Sequence, residues 1–401
     1  MENKVYNGYK IALSENELDD ILNNKVTKFV FNSVDEYNAL DLGDKEALKH
    51  LVKAAQALTT VFLKQDHHKN IEMKQALESA SEAGDTYAQK VLEIFNVFQG
   101  LEGNNGLSAD PVIIFEGLNA SPNKNVFPPD LKKEELIEYC KKQIEEGNIE
   151  LVKGIFSYDA IVKRDEAKLI SVPYTVEFAE EYEKAANELL LASKQTTHKG
   201  FKEFLEFQAK SLLSKDPKEA EYNEYLADKI WANLKDCPLE FTIGRENYDD
   251  FMTGSVLEDK NFAELLAKNS IEVKPKDFIG ARVGIVDLKA TKELEDYKNH
   301  LENLAKLMPL TEKYPKIENK NKSEEGKQTL ADVDIVYLSG DYAACRPGIT
   351  LAQNLPNDDK MASKLNCGNR NVFHKQIRRT ENPERRQRFL DSLVELSQHK
   401  W

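Results

Sequence analysis

Apolar side chains fall at helical spacing from the start of the chain. Ser14 and Glu17 stand at capping-box spacing ahead of Leu18, Ile21 and Leu22, which share one face and predict a first helix. Leu48, Leu51, Val52, Ala55, Leu58 and Phe62 repeat the period, and a third helical segment runs from Ile71 to Phe98. Between Gly100 and Pro129 the texture turns to Gly, Asn and Pro around a short apolar run at Val112–Phe115, which marks a structured loop region. Leu131–Gly147 reads as a short helix, and Tyr158–Tyr174 as two strands joined by a polar turn at Arg164–Lys168. Phe178, Tyr182, Ala185, Ala186 and Leu189 then form an amphipathic stripe, with Thr175 placed to cap it.

Asp216-Pro217 opens a further helix, with proline at the first position, where a missing N–H costs nothing; Ile230 and Trp231 lie near its end. Pro238–Gly244 and Ala281–Leu288 read as strands on either side of a helix around Phe262–Lys268. A helix is expected over Thr291–Leu307, a charged linker over Lys313–Glu325 and a strand over Val333–Leu338. Cys345–Cys367, with Arg346-Pro347-Gly348 and Asn354-Leu355-Pro356-Asn357, is expected to be mostly loop, and Arg385–Leu396 a last helix with Phe389, Leu390, Leu393 and Val394 on one face. There is no internal repeat.

Composition narrows the functional classes. Of 401 residues, 41% are hydrophobic and 31% charged, a globular balance too apolar for disorder. The net charge is −14, and residues 361–401 run against it with nine Lys/Arg and four Asp/Glu, leaving −19 on the preceding 360. Such a body repels phosphate backbones and acidic lipid, so neither nucleic acid nor membrane is an expected partner. The four cysteines form no CxxC pair and the N-terminus has no apolar leader, so reduced thiols and a cytoplasmic location are expected.

Common catalytic motifs are absent: no GxxxxGK[ST], no GxGxxG, no GxSxG, and none of the seven histidines is followed by glutamate. Asp66-His67-His68 has metal-ligand chemistry, but adjacent helical side chains diverge by about 100°, so it reads as a solvated helix end. Two segments offer more. In Ile243–Asp250 a β-patterned run passes through glycine into Glu246, Asn247, Tyr248 and two aspartates; Glu246 and Tyr248, two apart, point to one side of an extended strand. A strand entering a polar turn and a helix cap accounts for the same residues. In Asn354–Asp358, carboxamides carry both donors and acceptors suited to an extended peptide backbone, and a plain Asn/Pro/Asp turn is the simpler account.

Four segments in order resemble the dipeptidyl-peptidase III family, especially its bacterial members: Asn125–Glu135 (NVFPPDLKKEE), Leu169–Tyr174 (LISVPY), Ile243–Asp250 (IGRENYDD) and Asn354–Asp358 (NLPND). The similarity runs from about Gly100 onward. It implies an α+β fold, predominantly helical, with a small β-barrel-like sheet in the peptide-binding lobe. On that reading 1–100 is an N-terminal helical region, 101–260 a substrate-binding lobe of mixed strands and helices, 261–330 a strand–helix insertion and linker, 331–376 a return to the β-containing lobe, and 377–401 the start of the zinc-binding lobe. The resemblance also implies that Glu246 and Tyr248 hold a peptide's N-terminus and nearby backbone, and that Asn354 and Asn357 pair with its backbone.

Three departures stand out. Arg245 replaces the family's proline, Phe251–Ser255 differ from its usual continuation, and Arg346-Pro347 occupies the glycine-rich approach to Asn354. The family's zinc helix and its later glutamate ligand lie downstream of the Asn354 segment, and Leu390–Trp401 resembles the stretch leading into that helix. The expectation is a zinc-dependent exopeptidase releasing dipeptides from short peptides, represented by a portion without the zinc site. This chain alone is then expected to bind no zinc and show no turnover, with a separate chain carrying the zinc half as an expected partner. The other class is a non-catalytic peptide-binding or protein-interaction module.

Overall fold

The computed structural model describes residues 4–25, 34–104, 110–246, 250–300, 329–344, 352–355 and 370–374, with the backbone alone at 245–246, 297–299 and 353–354. The chain opens with a small hairpin, β1 (Val5–Tyr6) and β2 (Tyr9–Lys10), followed by α1 (Glu15–Asp20), whose Ser14–Glu17 capping box forms as the spacing predicts. Beyond α2 (Val34–Ala39), α3 (Leu42–Asp66) is the central helix. The segment expected as one helix from Ile71 divides into α4 (Asn70–Glu82) and α5 (Thr86–Phe98), because Gly84 turns at φ +91° and Asp85 caps the second piece with its carboxylate. A hairpin of β3 (Glu102–Asn104) and β4 (Pro111–Ile113) follows.

Next come α6 (Lys133–Glu145), α7 (Ile149–Ile155) and a second hairpin, β5 (Ala160–Asp165) with β6 (Lys168–Pro173), turning at Glu166. Thr175 does not cap the following helix. It lies inside a single turn, α8 (Tyr174–Glu177), and the main helix α9 (Ala179–Gln195) starts after Phe178 without a side-chain cap. After α9 come α10 (Lys199–Leu213), which the sequence pattern did not single out, and α11 (Pro217–Ala232) with Asp216 as its cap. Ala47, Ala54 and Ala55 of α3 and Ala185, Ala186 and Ala192 of α9 are fully buried, and these small residues let the two helices approach closely.

The largest sheet contains β7 (Leu239–Glu246), β8 (Phe278–Val286), β9 (Thr329–Gly340), β10 (Ala352–Leu355) and β11 (Arg370–His374), in the order β10-β11-β9-β8-β7. Between its strands lie α12 (Phe251–Leu257), α13 (Lys260–Lys268) and α14 (Leu288–Asn299). All pairs are antiparallel except β11 with β9. Two expectations change here. Among the described residues the sheet is open, with β7 and β10 at its edges, and does not close into a barrel; and Asn354 lies on a strand, within a segment expected to be mostly loop. The expected linker over 313–325 and the final helix over 385–396 lie outside the described residues.

Three apolar cores organise these elements. One joins α3 and α9 to α11 with the large sheet, a second gathers α1, α4 and α5 with both small N-terminal hairpins, and a third packs α6, α7, α12 and α13 beneath the β5–β6 hairpin. Each buried Leu or Phe contributes about 1.5–3 kcal/mol, so the cores rather than local propensity hold the helices in place.

Candidate functional site

Glu246 ends β7, where its register partner is Phe278, the first residue of β8. Asn354 sits on β10 opposite Asn371 of β11. The structure therefore puts both residues on one sheet, on its two opposite edges, while Tyr248 and Asn357 lie outside the described residues.

The start of β8 is held by an unusual density of buried polar contacts. Gln65, in the last turn of α3 and fully buried, donates from Nε2 to the Asp277 carbonyl at 3.0 Å and accepts at Oε1 from the Ile279 N–H at 3.0 Å. The Tyr174 hydroxyl donates to the same Asp277 carbonyl at 2.9 Å, and the Asp277 N–H donates to the Tyr158 carbonyl at 2.9 Å. Burial pushes the Tyr174 phenol well above its ordinary range, so it stays a donor. Asp250 accepts from the Lys276 N–H at 2.7 Å with one oxygen and caps α12 through Thr253 N–H at 2.6 Å with the other. The Lys276 ammonium donates to the carbonyls of Ile155 (2.8 Å) and Ser157 (2.6 Å) and lies 5.0 Å from the Phe127 ring centre. Its complete burial pulls its pKa down to about 7.

Three of the sequence segments thus converge on residues 276–279. Asn125 and Phe127 come from NVFPPD: the Asn125 N–H donates to the Gln65 carbonyl at 2.8 Å, its side chain to the Lys64 carbonyl at 2.7 Å. Tyr174 comes from LISVPY and Asp250 from IGRENYDD. Tyr174 bonds the Asp277 carbonyl and Asp250 the Lys276 N–H, while Phe127 lies against the Lys276 ammonium and Asn125 reaches this region through Gln65.

A second polar network lines the other end of the sheet. Glu240, fully buried, accepts from Trp231 Nε1 at 2.8 Å, Thr242 Oγ1 at 2.7 Å and Arg370 Nη2 at 3.4 Å. Arg370 also donates to the Leu234 carbonyl at 2.8 Å and stacks 5.6 Å from Trp231. Arg282, fully buried, donates to Thr242 Oγ1 and to His374 Nε2, both at 3.0 Å, which fixes that imidazole nitrogen as an acceptor. Glu240 is on β7 and Arg370 on β11, with β8 and β9 between them, so only a strongly curled sheet brings them into contact. Tyr342 fills the curl near Glu246: a β-carbon at Gly244 or Gly280 would run into it.

The Asp66-His67-His68 cluster does end a helix and His68 is exposed, but Asp66 and His67 are not solvated. Asp66 pairs with Lys124 at 2.7 Å and accepts from Asn70 at 3.1 Å, and both Asp66 and His67 are buried where the loop before residue 125 folds back over α3. Burial lowers the His67 pKa, favouring the neutral ring. Among the described residues no group of three or more His, Cys, Asp or Glu is arranged to hold a metal ion, and no helix is long and apolar enough to cross a membrane. Gln65, Glu240, Arg282, Lys276 and Arg370 were not singled out from sequence. The available signal was a lone polar residue inside an apolar strand, as at Glu240 between Leu239 and Phe241 or Arg282 between Ala281 and Val283.

No protein-family model matches the chain, and no curated protein matches it. Solved structures do. The structure of DPP III from Caldithrix abyssi aligns with TM-score 0.63 and 26% identity over 84% of this chain and 56% of that one. Dipeptidyl-peptidase III from Corallococcus sp. strain EGB aligns with TM-score 0.62 and 24% identity over 89% of this chain and 58% of that one. The chain spans a little over half the length of these proteins, and over most of its own length it folds as they do.

Proposed function

We infer that this chain carries the peptide-binding face of a dipeptidyl-peptidase III-type exopeptidase acting on short peptides. In this reading the Glu246 carboxylate pairs with a peptide's α-ammonium and Tyr248 contacts the adjoining backbone. Asn354 and Asn357 read the peptide backbone through amide donors and acceptors. Recognition confined to the amine and the main chain tolerates varied side chains while counting residues from the N-terminus.

The observation that carries the reading is the Arg370–Glu240 contact across the curled sheet. Arg370 is level with Thr329, beyond the Val333–Val286 pair, whereas Glu240 is level with Gly284. The contact therefore runs diagonally, toward the end of β7 that bears Glu246. A curl of this sense supports the shared groove that the reading requires between the β7 edge with Glu246 and the β10 edge with Asn354.

Zinc belongs to this reading as the ion that polarises the scissile carbonyl and activates water in the family. The described residues offer no set of ligands for it. Turnover requires a metal half supplied elsewhere, such as a separate chain; peptide binding without turnover in its presence would instead favour a non-catalytic peptide-binding module.

The test is titration calorimetry of the 401-residue chain with tetra-alanine and with N-acetylated tetra-alanine. A charge-assisted anchor contributes about 1.5–3 kcal/mol, so the free amine should bind about 10- to 100-fold more tightly. Glu246→Gln should abolish that preference and leave the acetylated peptide unaffected. Equal affinity of wild type for both peptides would remove the assignment.

A further inference from the structure

We propose that Gln65 is a positioning residue for the amine anchor: one buried carboxamide holds both peptide groups of Phe278, the residue facing Glu246 at the end of β7. This rests on the reading of Glu246 given above. The Asp277 carbonyl belongs to the peptide group before Phe278 and the Ile279 N–H to the one after it, and Gln65 bonds both at 3.0 Å. The β9 ladder along β8 ends at the Gly280–Gly340 pair, so the first residues of β8 lie beyond it. There the Ile279 carbonyl is taken by Asp341 N–H at 3.0 Å and the Ile279 N–H by Gln65, so the side chain continues the ladder where the neighbouring strand stops. On its other side β8 ends in the pair Phe278–Glu246, which closes the β7 ladder.

A strand end is where pairing frays first, and the anchor sits on that end. Gln65 is held in turn: its own carbonyl accepts from Asn125, and the Tyr174 hydroxyl shares the Asp277 carbonyl. The peptide groups of Phe278 are thus held from α3 by Gln65 and from LISVPY by Tyr174, with NVFPPD supporting Gln65, and among the described residues Gln65 bonds both groups. An amide is the side chain suited to this, since it presents one donor and one acceptor in a plane like a peptide group.

The experiment measures the ratio of affinities for free and acetylated tetra-alanine in Gln65→Met, which keeps the length of the side chain and removes both polar ends. The control is Leu77→Ala, which opens a cavity in the core of α4 and α5 without touching β8. The ratio is expected to fall about tenfold in Gln65→Met, since small misplacement of a positioned group is costly, and to stay at the wild-type value in Leu77→Ala. Slower-exchanging Ile279 and Glu246 amides in wild type should exchange faster in Gln65→Met alone. If Gln65→Met does not fold, Gln65→Glu, which retains the acceptor for Ile279, is read in the same way. An unchanged ratio in a folded Gln65 variant, or an equal fall in Leu77→Ala, overturns the proposal. A wild-type ratio near one instead removes the anchor reading on which it rests.

Discussion

At the scale of single residues, Lys276 shows how burial turns a flexible cation into a fixed joint. Its N–H, its ammonium and the ring beneath it tie three separate segments together, and complete burial pulls its pKa from 10.5 to about 7. Between those values the unfolded chain binds the proton that the folded chain has released. Stability from this group is therefore present above about pH 10.5 and is lost as pH falls toward 7. Chemical denaturation of wild type and Lys276→Met across pH 7 to 10 should show wild type gaining stability relative to the variant as pH rises, by several kcal/mol on the order of the shift. A flat difference would mean that the lysine keeps its ordinary pKa. From sequence this residue is one lysine among many, in Val273–Asp277, a run without periodicity. Burial is a property of what covers a residue, and the cover here comes from positions far away in the chain.

At the scale of elements, β7 and β11 are joined by side chains where no backbone pairing exists. Glu240 and Arg370 are both almost wholly buried, and removing one leaves the other charged and unpaired in the interior. Glu240→Ala or Arg370→Ala is expected to destabilise the protein by about 3–5 kcal/mol, and the double variant by less than the sum. Urea denaturation of the four proteins measures this directly; additive effects would show that the contact does not couple the strands. The pattern of the sequence found β7 and β8 and the β5–β6 hairpin, because each is a short apolar or alternating run between turn residues. It passed over β10 and β11. Each is five residues or shorter, and Asn354, Asn371 and Arg370 give them the polar look of loops. Their strand character comes from the ladders they join.

At the scale of the whole molecule, three cores and one curled sheet arrange the candidate site, and the likeness to dipeptidyl-peptidase III structures extends over most of the chain. The seven histidines lack the glutamate neighbour of the zinc-protease helix motif, so the 401-residue chain, assayed alone with a dipeptidyl-arylamide and added zinc, is expected to show no steady turnover and no stoichiometric metal. Steady turnover or a stoichiometric zinc ion would overturn this expectation. The sequence by itself determined the helical majority, the capping box at Ser14, the strand run into Gly244 and the order of the four family-like segments, because these depend on neighbours within a few residues. Tertiary structure decided that three of those segments converge on residues 276–279 at the start of the strand opposite Glu246, that the sheet is not closed among the described residues, and that Asp66 and His67 are buried. Those outcomes depend on contacts between positions tens to hundreds of residues apart, which local pattern does not encode.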